Sequence, residues 1–475
     1  MGRRKRRLPA FEDVEIFDAG AEGKAVGRAS DGKVVFVPYA VPGDVVDVQA
    51  VKKKSSFYEC KITAFKKYSS LRIEPQCRHF GTCGGCKWQH LSYDNQLKFK
   101  QKQVEDALTR IAKIDISPIK EIIGNDSEYF YRNKLEFTFS NFRWLEDYSK
   151  DEDFSERNMN GLGFHIPGMY DRVLDIKECL LQGEPSNAIR LAVRDFAIEH
   201  ALSFFDLKKQ QGLLRNLIIR TSTTGDLMVV VVFYEDDEEK HKLLLNFLAE
   251  KFPQISSLNY IVNQKRNDSI TDQEVILYRG KDHIMEQMED PEGQVLHFKI
   301  GAKSFYQTNS LQARKLYSVA ADFTALSGDE IVYDLYTGTG TIANFVARKA
   351  AKVVGIEYVE DAVEDARVNS RLNDIDNTVF FAGDMVKILT DEFVARNGSP
   401  DVVISDPPRA GMHAKVVAML LKLKPRKIVY VSCNPATQAR DIALMKDDYK
   451  VTKIQPVDMF PQTAHVENVV LLERL

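Results

Sequence analysis

Three groups of residues in this chain have types and spacings that can do chemistry. The first is YVSCNPAT at 430–437, where Cys433 stands between a β-like run and a turn. A thiol there is either a small buried residue that ends a strand or a nucleophile. Close to the C-terminus, PQTAHVENVVLLERL supplies His465 and Glu467 just before an apolar strand. Either of them can act as a general base beside such a thiol.

The second group is CRHFGTCGGCKWQHLSYDNQ at 77–96. The spacing Cys77-x5-Cys83-x2-Cys86 packs three thiols into one short loop, with Gly84 and Gly85 allowing a tight wrap. Three free thiols so close together oxidise easily, so a metal is the better reading. Zinc ribbons present two Cys-x2-Cys knuckles, whereas here the fourth ligand must come from far away. Four thiolates among exposed amides suit an iron–sulfur cluster better than zinc. Cys60 lies in the alternating pattern of a strand, which leaves Cys179, in VLDIKECLLQGE, as the fourth ligand.

The third group surrounds the glycine turn DLYTGTGT at 334–341. Such a turn opening a helix receives a nucleotide-like ligand on its amides. Ala343 replaces the third glycine of a dinucleotide fingerprint. Nicotinamide binding is the rival, but S-adenosylmethionine has no pyrophosphate and needs less of the phosphate cradle. Glu357 is placed to accept from ribose hydroxyls, and Asp384 offers a carboxylate to an adenine amine. In DPPRAGM, two prolines stiffen the backbone after Asp406 and hold its carboxylate for a planar base. Methyl transfer to nucleic acid is therefore the leading class. Direct attack by a base nitrogen needs no cysteine, but the C5 carbon of uracil is a poor nucleophile. A thiolate adding to C6 activates it, and Glu467 can then remove the C5 proton.

These residues need elements to position them. Residues 11–68 alternate β-branched and polar residues between Asp-Gly and Pro-Gly turns, the pattern of a small barrel. QLKFKQKQVEDALTRIA at 96–112 has helical apolar spacing and can pack against the catalytic domain despite its early position. From about 311, strand, glycine turn and helix alternate, with strands ending near Glu357, Asp384, Asp406 and Cys433. This alternation predicts a parallel, doubly wound sheet with its functional groups at the carboxyl ends of the strands. Three parts follow: a basic tail and OB-like barrel (1–70), a central α/β domain carrying the cysteine loop (71–300), and a Rossmann-like domain (301–475).

The chain has 475 residues and a net charge of −3, with 44% hydrophobic and 28% charged residues. No apolar run reaches the roughly 20 residues of a membrane span, and the N-terminus lacks a secretory apolar core. A cytoplasmic location is expected, where six cysteines point to metal or catalysis rather than a disulfide framework. Residues 1–110 carry about twenty Lys and Arg against about thirteen acids, which predicts a polyanion partner. The acidic insertion near 146–157 has no assigned role.

The barrel resembles a TRAM domain. In order, CRHFGTCGGC with Cys179, FYQTN at 305–309, DLYTGTGT, DPPRAGM, SCNPAT and HVE resemble the 23S ribosomal RNA uracil-C5-methyltransferases of the RumA/RlmD type over most of the chain. The resemblance implies a [4Fe–4S] cluster on Cys77, Cys83, Cys86 and Cys179. It also implies Cys433 as nucleophile and Glu467 as base. Donor contacts would come from Gln307, Tyr336, Thr341, Glu357, Asp384 and Asp406, and Phe305, Gln307 and Asp406 would meet the target base. The glycine turn has Tyr336 and Thr337 where the family often has Phe-Cys, a change that keeps an aromatic ring for stacking. The alternatives are a transfer RNA uracil methyltransferase, expected to lack the barrel and cysteine loop, and a non-catalytic RNA-binding iron–sulfur protein. A single chain suffices for the chemistry, and no obligate protein partner is implied.

Overall fold

The computed structural model describes residues 8–147 and 157–475. The basic run of the N-terminal tail and most of the acidic insertion lie outside the described residues.

Strands Ala10–Ala19, Lys24–Arg28, Val34–Pro38, Val45–Lys53 and Phe57–Lys67 close into a barrel, with the fifth strand inserted between the third and fourth. The alternation of the sequence is the cause: Val35, Val37, Val46 and Val48 point inward and are fully buried. Cys60 is buried among them, away from the cysteine loop. At the barrel's exit, Arg72 pairs with the buried Asp44 at 2.7 Å, and Asp44 also accepts from Ser69 N–H at 2.9 Å.

The central part is an eight-stranded mixed sheet. Helices Ser186–Glu199 and Glu238–Lys251 cover one face, packing on Leu135, Phe137, Phe139, Leu217 and Ile219. The hairpin His283–Glu289/Val295–Gly301 leads from this sheet into the catalytic part. There, Asn369 and Asn373 of the helix Glu360–Leu372 accept from the hairpin's Lys299 and His297 N–H groups.

The catalytic sheet has seven strands, ordered Thr378–Ala382, Lys352–Glu357, Ile331–Leu335, Val402–Ser405, Lys427–Ser432, Glu467–Arg474, Tyr449–Val457. The first five are parallel, as the alternating units predict. Glu467–Arg474 alone runs the other way, antiparallel to both its neighbours, because residues 458–466 are too few for a helical crossover from Tyr449–Val457. Successive residues feed opposite cores: Val429 and Val431 join one, Ile428 and Tyr430 the other.

The early helix, Tyr93–Ala107, continues as a wider π-turn over Leu108–Ala112 and lies against the helix Pro435–Ala443. Its Lys100 Nζ donates to Asp458 Oδ1 at 2.6 Å with both side chains fully buried, and also to the Phe460 carbonyl at 3.0 Å. Tyr93 donates to the other Asp458 oxygen at 2.9 Å, and Gln96 exchanges two hydrogen bonds with Gln462. A buried pair adds little net stability while intact, but removing one partner strands the other charge. Lys100→Met is therefore expected to lower unfolding free energy by about 3–5 kcal/mol, measured by urea titration. A cost under about 1 kcal/mol would mean that apolar contacts alone hold this helix.

Candidate active site

The strand ladder decides what Cys433 faces. Lys427–Ser432 pairs antiparallel with Glu467–Arg474, and the last registered pair is Ser432 with Asn468. One step further along that register, Cys433 stands opposite Glu467. Gln438 fixes both strand ends by donating to the carbonyls of Tyr430 (2.9 Å) and Asn468 (3.0 Å). Asn434 caps the helix Pro435–Ala443 by accepting from Ala436 N–H at 3.2 Å, and Pro435 fits the first turn. The Asn434 amide also donates to the Arg409 carbonyl at 3.1 Å, which ties the DPPRAGM loop to the cysteine. Buried Asp441 completes the tie, accepting from Met412 N–H and from the Tyr430 hydroxyl, both at 2.8 Å.

Three carboxyls with raised pKa values gather here. Burial pushes Glu467, 6% exposed, up to about 8, with Asp406 adding to the rise. Burial alone pushes Asp406 up to about 7. Asp334 also rises to about 7 through burial, although the Thr337 hydroxyl donates to it at 2.5 Å. The Cys433 thiol is pushed up to about 11 by burial, then by Glu467 and Asp406, with Arg409 opposing. Such a field disfavours a thiolate and favours a cation in the cleft. His465 is pushed the other way, down to about 4, by burial and by Arg409, Lys100 and Arg132. It stays neutral and is the poorer proton acceptor.

The donor-side residues line the carboxyl edge of the same sheet. Tyr336 sits at a positive φ of 64°, a conformation costly for an aromatic residue and typical of functional turns. Gly340, at φ 74°, caps the helix Thr341–Ala347, and a Cβ there would lie 2.8 Å from Ala366 Cβ. Glu357 accepts from the N–H groups of Gly338, Tyr358 and Val359 at 2.8–3.2 Å, joining the second strand to the glycine turn. Asp384 caps a short helix through Val386 N–H at 3.0 Å. Thr341 and Thr339 hydroxyls lie 3.3 Å apart, and Thr339 also reaches the Phe305 carbonyl at 3.3 Å. The Phe305 ring itself is 67% exposed. Gln307 is held by Asn133, whose amide donates to its carbonyl at 2.9 Å, and its side chain meets the Tyr317 hydroxyl.

The cysteine loop builds a separate site. Cys77, Cys83, Cys86 and Cys179 all line one cavity of about 240 Å³. Burial raises the four thiols, Cys86 to about 12 and Cys179 to about 11. Among the described residues, no three His, Cys, Asp or Glu side chains are grouped to hold a single metal ion. Below the cavity the fully buried Arg190 donates to the Ile176 carbonyl, and its Nε and Nη2 have no partner. Arg190 does not itself line the cavity, but its charge favours the ionised form of Cys179, which does.

Comparison with known proteins decides the family. The family model described as tRNA (Uracil-5-)-methyltransferase matches residues 205–475, and the TRAM domain model matches residues 11–63. The chain belongs to the tRNA (uracil-5-)-methyltransferase family. It is an S-adenosylmethionine-dependent RNA methyltransferase with an N-terminal TRAM barrel. An uncharacterized RNA methyltransferase of Bacteroides thetaiotaomicron is 57% identical over 95% of this chain and 99% of its own length. One from Chlorobaculum tepidum is 39% identical over 97% of this chain and 96% of its own length. The solved Pyrococcus abyssi tRNA (uracil-54, C5)-methyltransferase, in complex with S-adenosyl-L-homocysteine, is 28% identical. It superposes with a TM-score of 0.73 over 97% of this chain and 100% of its own.

Three site residues of the methyltransferase were not assigned from the sequence. Asp334 and Arg409 lie inside DLYTGTGT and DPPRAGM, but nothing in those strings says that both would face Cys433's neighbours. Tyr317 gives no signal at all: it lies on the helix Ser310–Thr324, buried at 5% exposure, and senses Asp406, Asp334 and Glu467 together.

The raised Glu467 pKa carries a stability cost with a definite sign. Unfolded, the group ionises near its ordinary 4.5; folded, it keeps its proton to about 8. The folded state thus binds more protons over that window, and stability falls as pH rises from about 4.5 to 8. Glu467→Gln is expected to raise thermal stability, by roughly 2–5 kcal/mol at pH 8 and much less at pH 5. A gain independent of pH would show that Glu467 is ionised throughout.

Proposed function

We propose that this methyltransferase moves the methyl group of S-adenosylmethionine to C5 of a uridine in 23S ribosomal RNA through a covalent adduct on Cys433. The observation that carries this reading is the strand register that sets Cys433 opposite a buried Glu467. The sulfur of Cys433 adds to uracil C6 as its proton leaves to a neighbouring carboxylate. C5, now enolate-like, takes the methyl group that the bound sulfonium supplies. Glu467 removes the C5 proton, the C5=C6 bond re-forms, and the C6–S bond breaks to release Cys433. A cationic donor near Asp406 offsets the acidic part of the field that, together with burial, keeps the thiol protonated. Tyr336, Thr341, Glu357 and Asp384 hold the donor, Phe305 stacks on the target base, and Gln307 and Asp406 contact both.

What supports ribosomal RNA as the substrate is the ordered motif set from CRHFGTCGGC to HVE. Transfer RNA is the second reading, favoured by the Pyrococcus abyssi enzyme, whose structure covers 97% of this chain. With that coverage, the barrel and cysteine loop do not by themselves separate the two substrates. Mapping 5-methyluridine in a deletion strain separates them: loss from 23S ribosomal RNA is expected, and loss from transfer RNA alone would overturn the choice.

Two variants test the chemistry. Cys433→Ala should abolish both methylation and any covalent RNA complex. Glu467→Gln should slow turnover about 10²–10⁴-fold while the methylated adduct accumulates, visible as an RNA-shifted band on a denaturing gel. Normal turnover in Glu467→Gln would move the base role elsewhere.

For the second site we propose a [4Fe–4S] cluster on Cys77, Cys83, Cys86 and Cys179. Its support is the four-thiol cavity and the Arg190 charge that favours ionised Cys179. A metal there would hold all four thiols deprotonated despite their burial. Anaerobically purified protein should be brown with about four irons per chain. Cys179→Ser should lower that content and Cys60→Ser should not. Stoichiometric zinc without iron would exclude the cluster.

A further inference from the structure

A polar cavity lies away from both sites, at one end of the central sheet. Strand Lys134–Ser140 starts beside the target-base segment, since Asn133 donates to the Gln307 carbonyl and to Ser310. Its paired strand does the same: Arg220, registered with Lys134, donates to the carbonyls of Gly301 (2.8 Å) and Ser304 (2.6 Å). The face bearing Arg220 and Lys134 also bears Glu136, Thr138 and Asn216, and no helix covers it there. At a rise of about 3.3 Å per residue, Thr138 and Ser140 lie about 16–23 Å along this face from Asn133.

At that distance the face opens into a cavity of about 400 Å³. Phe205 lies buried in its wall, Tyr170 stands at its rim with 69% of its surface exposed, and Asn216, Asp268 and Arg266 line it. Asn216 is only 4% exposed, and the part of it that reaches solvent opens onto the cavity, where its side-chain amide makes no hydrogen bond to a described residue. An amide open to a cavity offers both a donor and an acceptor to a ligand there. Next to the cavity, the Arg172 guanidinium lies 4.2 Å and the Lys208 ammonium 5.2 Å from the ring of Phe142, which is 36% exposed.

We propose that this cavity is a second nucleobase subsite, taking an unpaired base of the substrate RNA about 20 Å from the methylated uridine, with Tyr170 as stacking partner and Asn216 and Asp268 reading the base edge. This rests on the reading of the protein as an RNA methyltransferase. The aromatic and cationic composition is that of single-strand platforms, where rings stack on bases and cations meet phosphates. Asp268 narrows the ligand: a carboxylate repels phosphate but accepts from an exocyclic amine. The subsite therefore prefers adenine, cytosine or guanine over uracil, which has no amine. Asn216 can satisfy the acceptor and donor edge of adenine with its own amide.

The test uses the full chain and two fluorescein-labelled dodecamers, A12 and U12, with anisotropy read at fixed low salt. A12 is expected to bind about fivefold or more tightly than U12. Tyr170 and Asp268 are exposed, so Tyr170→Ala and Asp268→Ala should keep the fold, as circular dichroism would check. Removing the Asp268 charge helps any polyanion bind, so the A12/U12 ratio is the readout, and it should fall toward one in both variants. Binding of both RNAs with no preference, or a preference unchanged in both variants, would overturn the subsite. Failure of both RNAs to bind would bring down the RNA reading, and the subsite with it.

Discussion

The pairing of strand Lys427–Ser432 with strand Glu467–Arg474 is the constraint on which the active site depends. Side chains alternate with a period of two, so a slip of one residue would turn Glu467 away from Cys433 and send each apolar residue behind it into the opposite core. That run prevents the slip: Val469 and Leu471 belong to one core and Val470 and Leu472 to the other. A strand buried on both faces thus fixes the position of a reactive carboxylate. Gln438 and Asn468, bonded to each other and to the strand ends, lock the last rung next to the thiol.

Burial and the acidity of the cleft together set the protonation of the Cys433 thiol. Burial, then Glu467 and Asp406, push the Cys433 thiol up to about 11, which favours its protonated form. Its activation waits on ligands that change the local field. Arg409 is the neighbour that already favours the thiolate, and its carbonyl is bonded to Asn434, next to the sulfur. The same design sets Glu467 and Asp406 near neutrality, where a carboxyl can both take and release a proton.

Much of this was legible in the sequence because local patterns encode it. Barrel alternation, strand–turn–helix units and the cysteine spacing each reflect a short-range rule, and each appears where its residues stand. The one reversed strand was not legible, because the direction of Glu467–Arg474 depends on how few residues join it to Tyr449–Val457. Nor was the electrostatic role of Asp334 or Tyr317, which depends on three elements converging over hundreds of residues. Asn216 was hidden for a related reason: in LRNLIIRTS it is one polar residue in an apolar strand. Only the folded sheet, whose edge beyond Ile218 opens at Asn216, shows that its amide lines a cavity.

The short segment 458–467 joins the two chemical centres. Asp458 is clamped by Lys100 and Tyr93, and the Gln462 carbonyl accepts from Lys87 (2.8 Å) and Trp88 (3.1 Å), which follow Cys86 directly. Thr463, one residue on, lines the four-cysteine cavity, and four residues after it comes Glu467. Gln462 takes a positive φ of 66°, a strained geometry that the surrounding hydrogen bonds must hold in place. The cysteine loop is therefore one wall of the channel through which the chain enters the strand bearing the base. Loosening that loop removes the partners of Gln462 and frees the approach to Glu467. A metal in the loop would then serve catalysis through rigidity, by fixing the backbone that sets the register of the last strand.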